Sequence, residues 1–298
     1  MSKNKLKIVF LGTPEFAVES LDAIIKAGHE VLAVVTATDK PAGRGHKLLP
    51  SAVKQYALEH GLEVLQPEKL RDETFLNRLR ELNADLNVVI AFRMLPREVW
   101  NMPRLGTMNL HASLLPRYRG AAPINHAVMN GDSETGVTTF LLKHEIDTGD
   151  MLRQASIPIG ENENVGSVHD RLMYLGAKVV VDSINDLADG TATPMPQNDS
   201  KATPAPKIFK ETCRLTRDMT SEQARNHIRG LSPYPCAWTD ELCNGLAIKV
   251  IEAVHAKEKQ QGHLYMDFAD GFLELTLIQP AGKRVMPATD FLRGLRQE

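Results

Sequence analysis

Lys7-Ile8-Val9-Phe10-Leu11-Gly12-Thr13-Pro14-Glu15-Phe16-Ala17 is the stretch whose reading decides the fold. An apolar run without alternation up to Leu11 is the pattern of a strand covered on both faces. A helix start follows: Thr13 is a capping type, Pro14 suits the first helical position, and Glu15 puts an acid in the first turn. A buried strand passing directly into a helix is the opening of a β-α-β unit.

Outward from this stretch the alternation continues. The helix is expected to run to Ala27 and stop at Gly28, with a strand at 30–36, a helix at 51–60, a strand at 62–65, a helix at 72–82, and strands at 86–91 and 106–110. Near-continuous apolar strands separated by helices predict a doubly wound, Rossmann-like α/β domain with a parallel sheet. Further helices are expected at 121–130 and 164–187. Residues 191–206 hold Pro194, Pro196, Pro204 and Pro206 without apolar periodicity, which reads as a linker. Beyond it, a short helix at 221–230 and alternating strands at 247–253, 262–268 and 272–278, set off by Asn244-Gly245 and Asp270-Gly271, predict a small β-rich domain with barrel potential. The expected division is a catalytic domain at 1–190, a linker at 191–206 and a second domain at 207–298.

Composition narrows function mainly by exclusion. The 298 residues are 43% hydrophobic and 24% charged, with a formal net charge of -2, so global charge names no partner. Cys213, Cys236 and Cys243 form no C-x-x-C pair, which argues against a disulfide framework and a zinc site and fits a reducing cytoplasm. The apolar run after the basic N-terminal residues is too short for a signal peptide or membrane span. Gly12-Thr13-Pro14-Glu15 is not a dinucleotide fingerprint, and Gly43-Arg44-Gly45-His46-Lys47 is not a P-loop.

The chemistry concentrates in Asn109-Leu110-His111-Ala112-Ser113-Leu114-Leu115-Pro116-Arg117-Tyr118-Arg119-Gly120, at the C-terminal end of a predicted strand, where open α/β sheets bind ligands. Residues two apart on a strand share a face, so Asn109 and His111 project together. Farther on, Ile146-Asp147-Thr148-Gly149-Asp150 offers an acid in a tight turn. These types suit acyl transfer to an amine. An amide donor stabilises the oxyanion of a tetrahedral species, an imidazole moves protons, and a carboxylate orients the imidazole and stabilises its charged form. Spacing alone equally allows an ordinary strand end and an ordinary turn.

The pattern Asn109-x-His111-x-Ser113-Leu114-Leu115-Pro116-x-x-x-Gly120, followed by Asp147-Thr148-Gly149-Asp150, resembles the signature of the folate-dependent formyltransferases. Gly12-Thr13-Pro14-Glu15-Phe16-Ala17, Asp39-Lys40-Pro41-Ala42-Gly43-Arg44-Gly45-His46-Lys47-Leu48, Arg117-Tyr118-Arg119-Gly120-Ala121-Ala122-Pro123-Ile124 and Gly282-Lys283-Arg284-x-Met286 are similar to the branch of that family acting on charged tRNA. The resemblance implies 10-formyltetrahydrofolate as donor and the α-amine of methionyl initiator tRNA as acceptor. It also implies Asn109, His111 and Asp147 as catalytic residues, no metal, and an oligonucleotide-binding (OB-like) barrel at the C-terminus. Ser113, Leu114, Leu115 and Pro116 would border the folate, with Phe92 and Met94 at the pterin wall. There the family's Ala-Tyr-Gly-x-x-Leu-Pro is replaced by the shorter Ala91-Phe92-Arg93-Met94-Leu95-Pro96.

A phosphate backbone needs local positive charge whatever the total. Candidate contacts are Lys40, Arg44 and Lys47 in a glycine-containing loop, Arg117 and Arg119 beside the signature, Lys207 in the basic stretch 201–217, and Lys283 near the C-terminus. Phe209, Tyr234 and Trp238 are candidates for base stacking or for core. A small-amine formyltransferase, a formyl-folate hydrolase and a non-catalytic tRNA-binding protein are the competing readings. No membrane association is expected, and the expected state is a monomer.

Overall fold

The computed structural model describes residues 4–42 and 47–295. The chain divides into two compact units, one of Met1–Arg119, Gly136–Ser156 and Asp170–Pro204, the other of Gly120–Thr135, Ile157–His169 and Ala205–Glu298.

In chain order the elements are β1 (Lys7–Gly12), α1 (Glu15–Lys26), β2 (Glu30–Val35), the hairpin β3 (Lys40–Ala42) and β4 (Lys47–Leu49), α2 (Ala52–Glu59), β5 (Val64–Leu65), α3 (Glu73–Leu82), β6 (Leu86–Ile90), α4 (Arg97–Trp100), β7 (Thr107–His111), β8 (Arg119–Gly120), α5 (Pro123–Met129), β9 (Glu134–Leu141), β10 (Met151–Pro158) and α6 (Val165–Asp189). A seven-stranded sheet runs β10-β9-β7-β6-β1-β2-β5. The ladders among β5, β2, β1, β6 and β7 are parallel, and β9 joins β7 antiparallel. The parallel half follows the predicted alternation. The antiparallel flank does not, because Glu134–Leu141 is threonine-rich and Met151–Pro158 has an exposed face, so neither carries an apolar run.

Packing follows from the strands' two faces. Val9, Leu11, Val35 and Val89 meet Phe75, Leu76 and Leu79 of α3 in one buried cluster, while Ile8 and Phe10, also fully buried, alternate to the opposite face. Ser51 and Asp72 cap α2 and α3 by accepting from Lys54 N and Phe75 N, contacts worth about 1 kcal/mol each. At α1 the cap position is Pro14 rather than Thr13, and the helix begins at Glu15 without a side-chain cap bond.

β11 (Pro204–Ala205) stands at the division, and the second unit contains α7 (Ser221–Leu231), β12 (Ala237–Thr239), β13 (Ile248–His255), β14 (Tyr265–Phe268), β15 (Gly271–Pro280), β16 (Met286–Pro287) and α8 (Ala288–Leu295). Its five-stranded sheet is antiparallel, ordered β12-β13-β15-β14 with β16 on β15, and α7 opens with a Thr220/Gln223 capping box. Two earlier stretches belong here because α7 holds them. A Cβ on Gly230 would lie 2.4 Å from Met129 Cγ, so α5 and α7 approach closely, and Asn125 Nδ2 donates to Gly230 O at 2.8 Å. Arg225 donates to Glu161 O at 2.9 Å and Arg229 to Glu163 O at 3.0 Å. The core gathers Leu215, Ile228, Leu231, Val250, Met266, Leu275, Ile278 and Phe291.

Candidate active site

β7 presents the signature. Asn109 lies opposite Val89 on β6 and Phe140 on β9, and His111 lies opposite Thr138 at the strand's C-terminal end. The two side chains share a face, as the period of two requires. Asn109 is half-buried and His111 buried. The site thus sits where the parallel part of the sheet meets its antiparallel flank, with strand ends on both sides to support it.

The turn after His111 is held by side chains remote in sequence. Thr138 Oγ1 donates to Ser113 O at 2.7 Å and accepts from Leu115 N at 3.1 Å, while Gln154 Nε2 donates to Leu115 O at 2.7 Å and to Thr138 Oγ1 at 2.9 Å. Ser113 Oγ donates to Arg117 O at 2.6 Å. A Cβ on Gly136 would meet Ala155 O at 2.2 Å and Leu114 Cδ2 at 2.6 Å, so the flank can press against the turn only with glycine there.

His111 Nε2 is 2.8 Å from Tyr118 O. A carbonyl oxygen only accepts, so this nitrogen carries a proton, and in the neutral ring Nδ1 holds the lone pair. Nδ1 faces Asp147 Oδ2 at 3.8 Å, beyond hydrogen-bonding range and within that of a charge pair. Both side chains are about nine-tenths buried, so little water screens them. The structure therefore brings together the histidine and the acid that lie 36 positions apart in the chain.

Asp147 has a left-handed backbone, with φ of 55°. Its turn is fastened on both sides. A Cβ on Gly149 would come 1.7 Å from Leu141 O, and Gln197 Nε2 donates to Asp147 O at 2.8 Å and Gly149 O at 2.9 Å. The neighbouring His144 and Glu145 are exposed.

Other predicted residues are distributed as follows. Phe92 is partly buried against the α3-side core, while Met94 is 73% exposed. Arg93 donates to Glu68 O at 2.8 Å and to Pro67 O, tying the shortened segment down. Lys40 is exposed on β3, Lys47 begins β4, and Arg44 lies outside the described residues. Arg117 is exposed, its guanidinium carbon 4.9 Å from the centre of the Tyr118 ring. Arg119 is turned inward, donating to Gln197 Oε1 and to Asp199 Oδ1. In the second unit Lys207 lies over Phe209 at 5.6 Å and Lys283 over Phe291 at 5.9 Å. Arg214 and Arg217 of the basic stretch are paired with Asp240 and Glu241 at 2.6 and 2.8 Å, which weakens that patch. Tyr234 and Phe209 are exposed and Trp238 is half-buried, its Nε1 donating to Lys210 O.

Thr138, Gln154 and Gln197 escaped the sequence reading, since a threonine and two glutamines in polar segments carry no motif. Among the described residues no group of three or more His, Cys, Asp or Glu could hold a metal ion, and no helix is long and apolar enough to cross a membrane.

Known proteins resemble the chain along nearly all of its length. The profile described as formyl transferase matches residues 6–184, and that described as formyl transferase, C-terminal domain, matches residues 207–296. Methionyl-tRNA formyltransferase of Parabacteroides distasonis is 52% identical over 321 aligned positions, covering 100% of this chain and 98% of that protein. The Bacteroides fragilis protein of the same name is 50% identical, covering 99% of this chain and 96% of its own length. Among solved structures, the sugar 3N-formyl transferase WlaRD, in the presence of dTDP and 5-N-formyl-THF, superposes with a TM-score of 0.69 at 20% identity, covering 94% of this chain and 99% of that one. HypX from Aquifex aeolicus in complex with tetrahydrofolic acid gives 0.68 at 17%, covering 96% of this chain and 47% of that one. These two likenesses concern the fold. Matched in both halves by the family's profiles and end to end by relatives at half identity, the chain belongs to the formyl transferase family.

Proposed function

We propose that this chain transfers the formyl group of 10-formyltetrahydrofolate to the α-amino group of methionine carried on initiator tRNA, and so supports the start of translation in the cytoplasm. The observation that carries this reading is the 52% identity to a methionyl-tRNA formyltransferase along 100% of the chain, C-terminal unit included. The likeness to sugar formyltransferases is one of fold at 20% identity.

The residues suit the chemistry. The donor supplies an activated formyl carbon. Asn109, on the half-buried face of β7, offers an amide donor to the oxygen that gains charge when the amine attacks. His111 Nδ1, its lone pair left free by the Nε2 contact to Tyr118 O, takes the proton the amine sheds and returns it to the departing nitrogen. Asp147, 3.8 Å away, steadies the imidazolium in between. The 113–116 turn, which follows His111 in the chain, and Phe92 and Met94 are the proposed apolar contacts for a flat pterin. Lys40, Arg44, Lys47, Arg117, Lys207 and Lys283 are the proposed phosphate contacts, and a monomer is the proposed state.

One comparison tests the assignment. Formyl-folate is offered with methionyl initiator tRNA, with glycinamide ribonucleotide, with an amino-sugar nucleotide, and with no acceptor. Formylmethionyl-tRNA alone should accumulate at an appreciable rate. A faster reaction with either small amine, or formate release without acceptor, would overturn it.

A further inference from the structure

We infer that Gln197 is a positioning residue for formyl transfer, holding the Asp147 turn against His111 while Arg119 dictates which way the Gln197 amide faces. This rests on the reading of Asp147 as the partner of His111.

The amide of Gln197 is fully used. Nε2 donates both hydrogens, one to Asp147 O at 2.8 Å and one to Gly149 O at 2.9 Å. Oε1 accepts from Arg119 Nε at 3.1 Å and Nη2 at 2.7 Å. A flipped amide would set its NH2 against the guanidinium and its oxygen against two carbonyls, so the orientation has one solution. Arg119 is itself anchored, Nη2 on Asp199 Oδ1 at 2.6 Å and its backbone N–H on Thr203 O at 2.9 Å. The chain leading to Gln197 is tied to β10, because Met195 and Met151 exchange backbone bonds at 2.8 and 2.9 Å.

The two carbonyls gripped by Gln197 flank the turn whose first residue is the acid. Asp147 sits at φ 55°, a conformation that a non-glycine residue keeps only where its surroundings hold it. Its carboxylate stands 3.8 Å from His111, and a shift of about 1 Å at such a site costs on the order of a hundredfold in rate. Gln197 lies 50 residues from Asp147 and touches its backbone alone, so its influence on the reaction runs through the placement of that carboxylate.

The test uses Gln197→Met, which keeps the volume and removes the donors, beside Gln197→Ala, each also built on Asp147→Asn. Turnover is read in single-turnover mode, along with KM for the folate and for charged tRNA. Both single variants should lose about 10- to 100-fold in kcat with each KM within about threefold of the parent. On the Asp147→Asn background, adding Gln197→Met should change the rate by less than about twofold, because the group it positions is already disabled. An equal loss on both backgrounds, or a normal kcat in Gln197→Met while Asp147→Asn is inactive, would overturn the role of Gln197 and leave that of Asp147 standing. Normal turnover in Asp147→Asn alone would remove the reading on which it rests.

Discussion

A single methyl group on Gly149 should separate Asp147, the proposed acid, from His111. Built on the observed backbone, the new Cβ would lie 1.7 Å from Leu141 O, 2.8 Å from Leu141 C and 2.9 Å from Phe140 Cδ2. Ordinary contact begins near 3.4 Å, so turn and strand must part by about 1.7 Å, a large movement for a close-packed interior. The strand is poorly able to yield: Phe140 is fully buried, and β9 is laddered to β7. The turn therefore moves, straining the Leu141 N–H bond to Asp150 O at 3.0 Å and the two Gln197 bonds. Asp147 moves with it, away from His111. A displacement of this order predicts a kcat loss of about a hundredfold, and the overpacking a stability loss of about 1–3 kcal/mol. Steady-state formylation of charged initiator tRNA and urea unfolding measure the two effects. A folded Gly149→Ala enzyme with kcat within about threefold of the parent would refute the coupling of this turn to the chemistry.

Three further outcomes can be measured. Thr138→Val removes the hydroxyl that serves Ser113 O, Leu115 N and Gln154, so the signature turn should loosen, with a stability loss of about 1–3 kcal/mol and a raised KM for the folate; an unchanged KM would detach Thr138 from the donor site. Arg44→Ala should weaken formylation of charged tRNA much more than folate binding, and equal losses in both would sink the loop assignment. His227 is half-buried with its Nε2 atom enclosed and unpartnered, and this desolvation holds its pKa below the ordinary 6.5. The folded chain then binds fewer protons than the unfolded one, so stability is full above pH 6.5 and declines as pH falls through the depressed folded value. Denaturant unfolding between about pH 5 and 7 should show a shallower slope in His227→Gln, the difference being at most ~1.4 kcal/mol per pH unit; identical slopes would remove His227 from the acid response.

The parts legible in the sequence are those whose stabilisation is local. β1, β2 and β6 are apolar runs because helices cover both faces, and Ser51 and Asp72 mark helix starts because a cap acts within one turn. Asn109 and His111 are paired by the two-residue period of their strand. β9 fails every such pattern: its Thr138 and Thr139 are fully buried yet polar, acceptable only because Ser113, Gln154 and Ser183 lie opposite to bond them. The same limit governs the site. Asp147 is visible as a turn residue, but its approach to His111 is a tertiary fact that resemblance, not spacing, supplied. The proline-rich stretch after α6 makes the limit plainest. Its composition predicts a linker, yet it delivers Gln197 to the Asp147 turn and Asp199 to Arg119. Proline and polar side chains exclude regular ladders there, so the segment is held instead by bonds to residues some 50 to 80 positions away. A local pattern registers what a segment does with its neighbours in sequence, and the two Gln197 bonds that fasten this turn come from about 50 positions away.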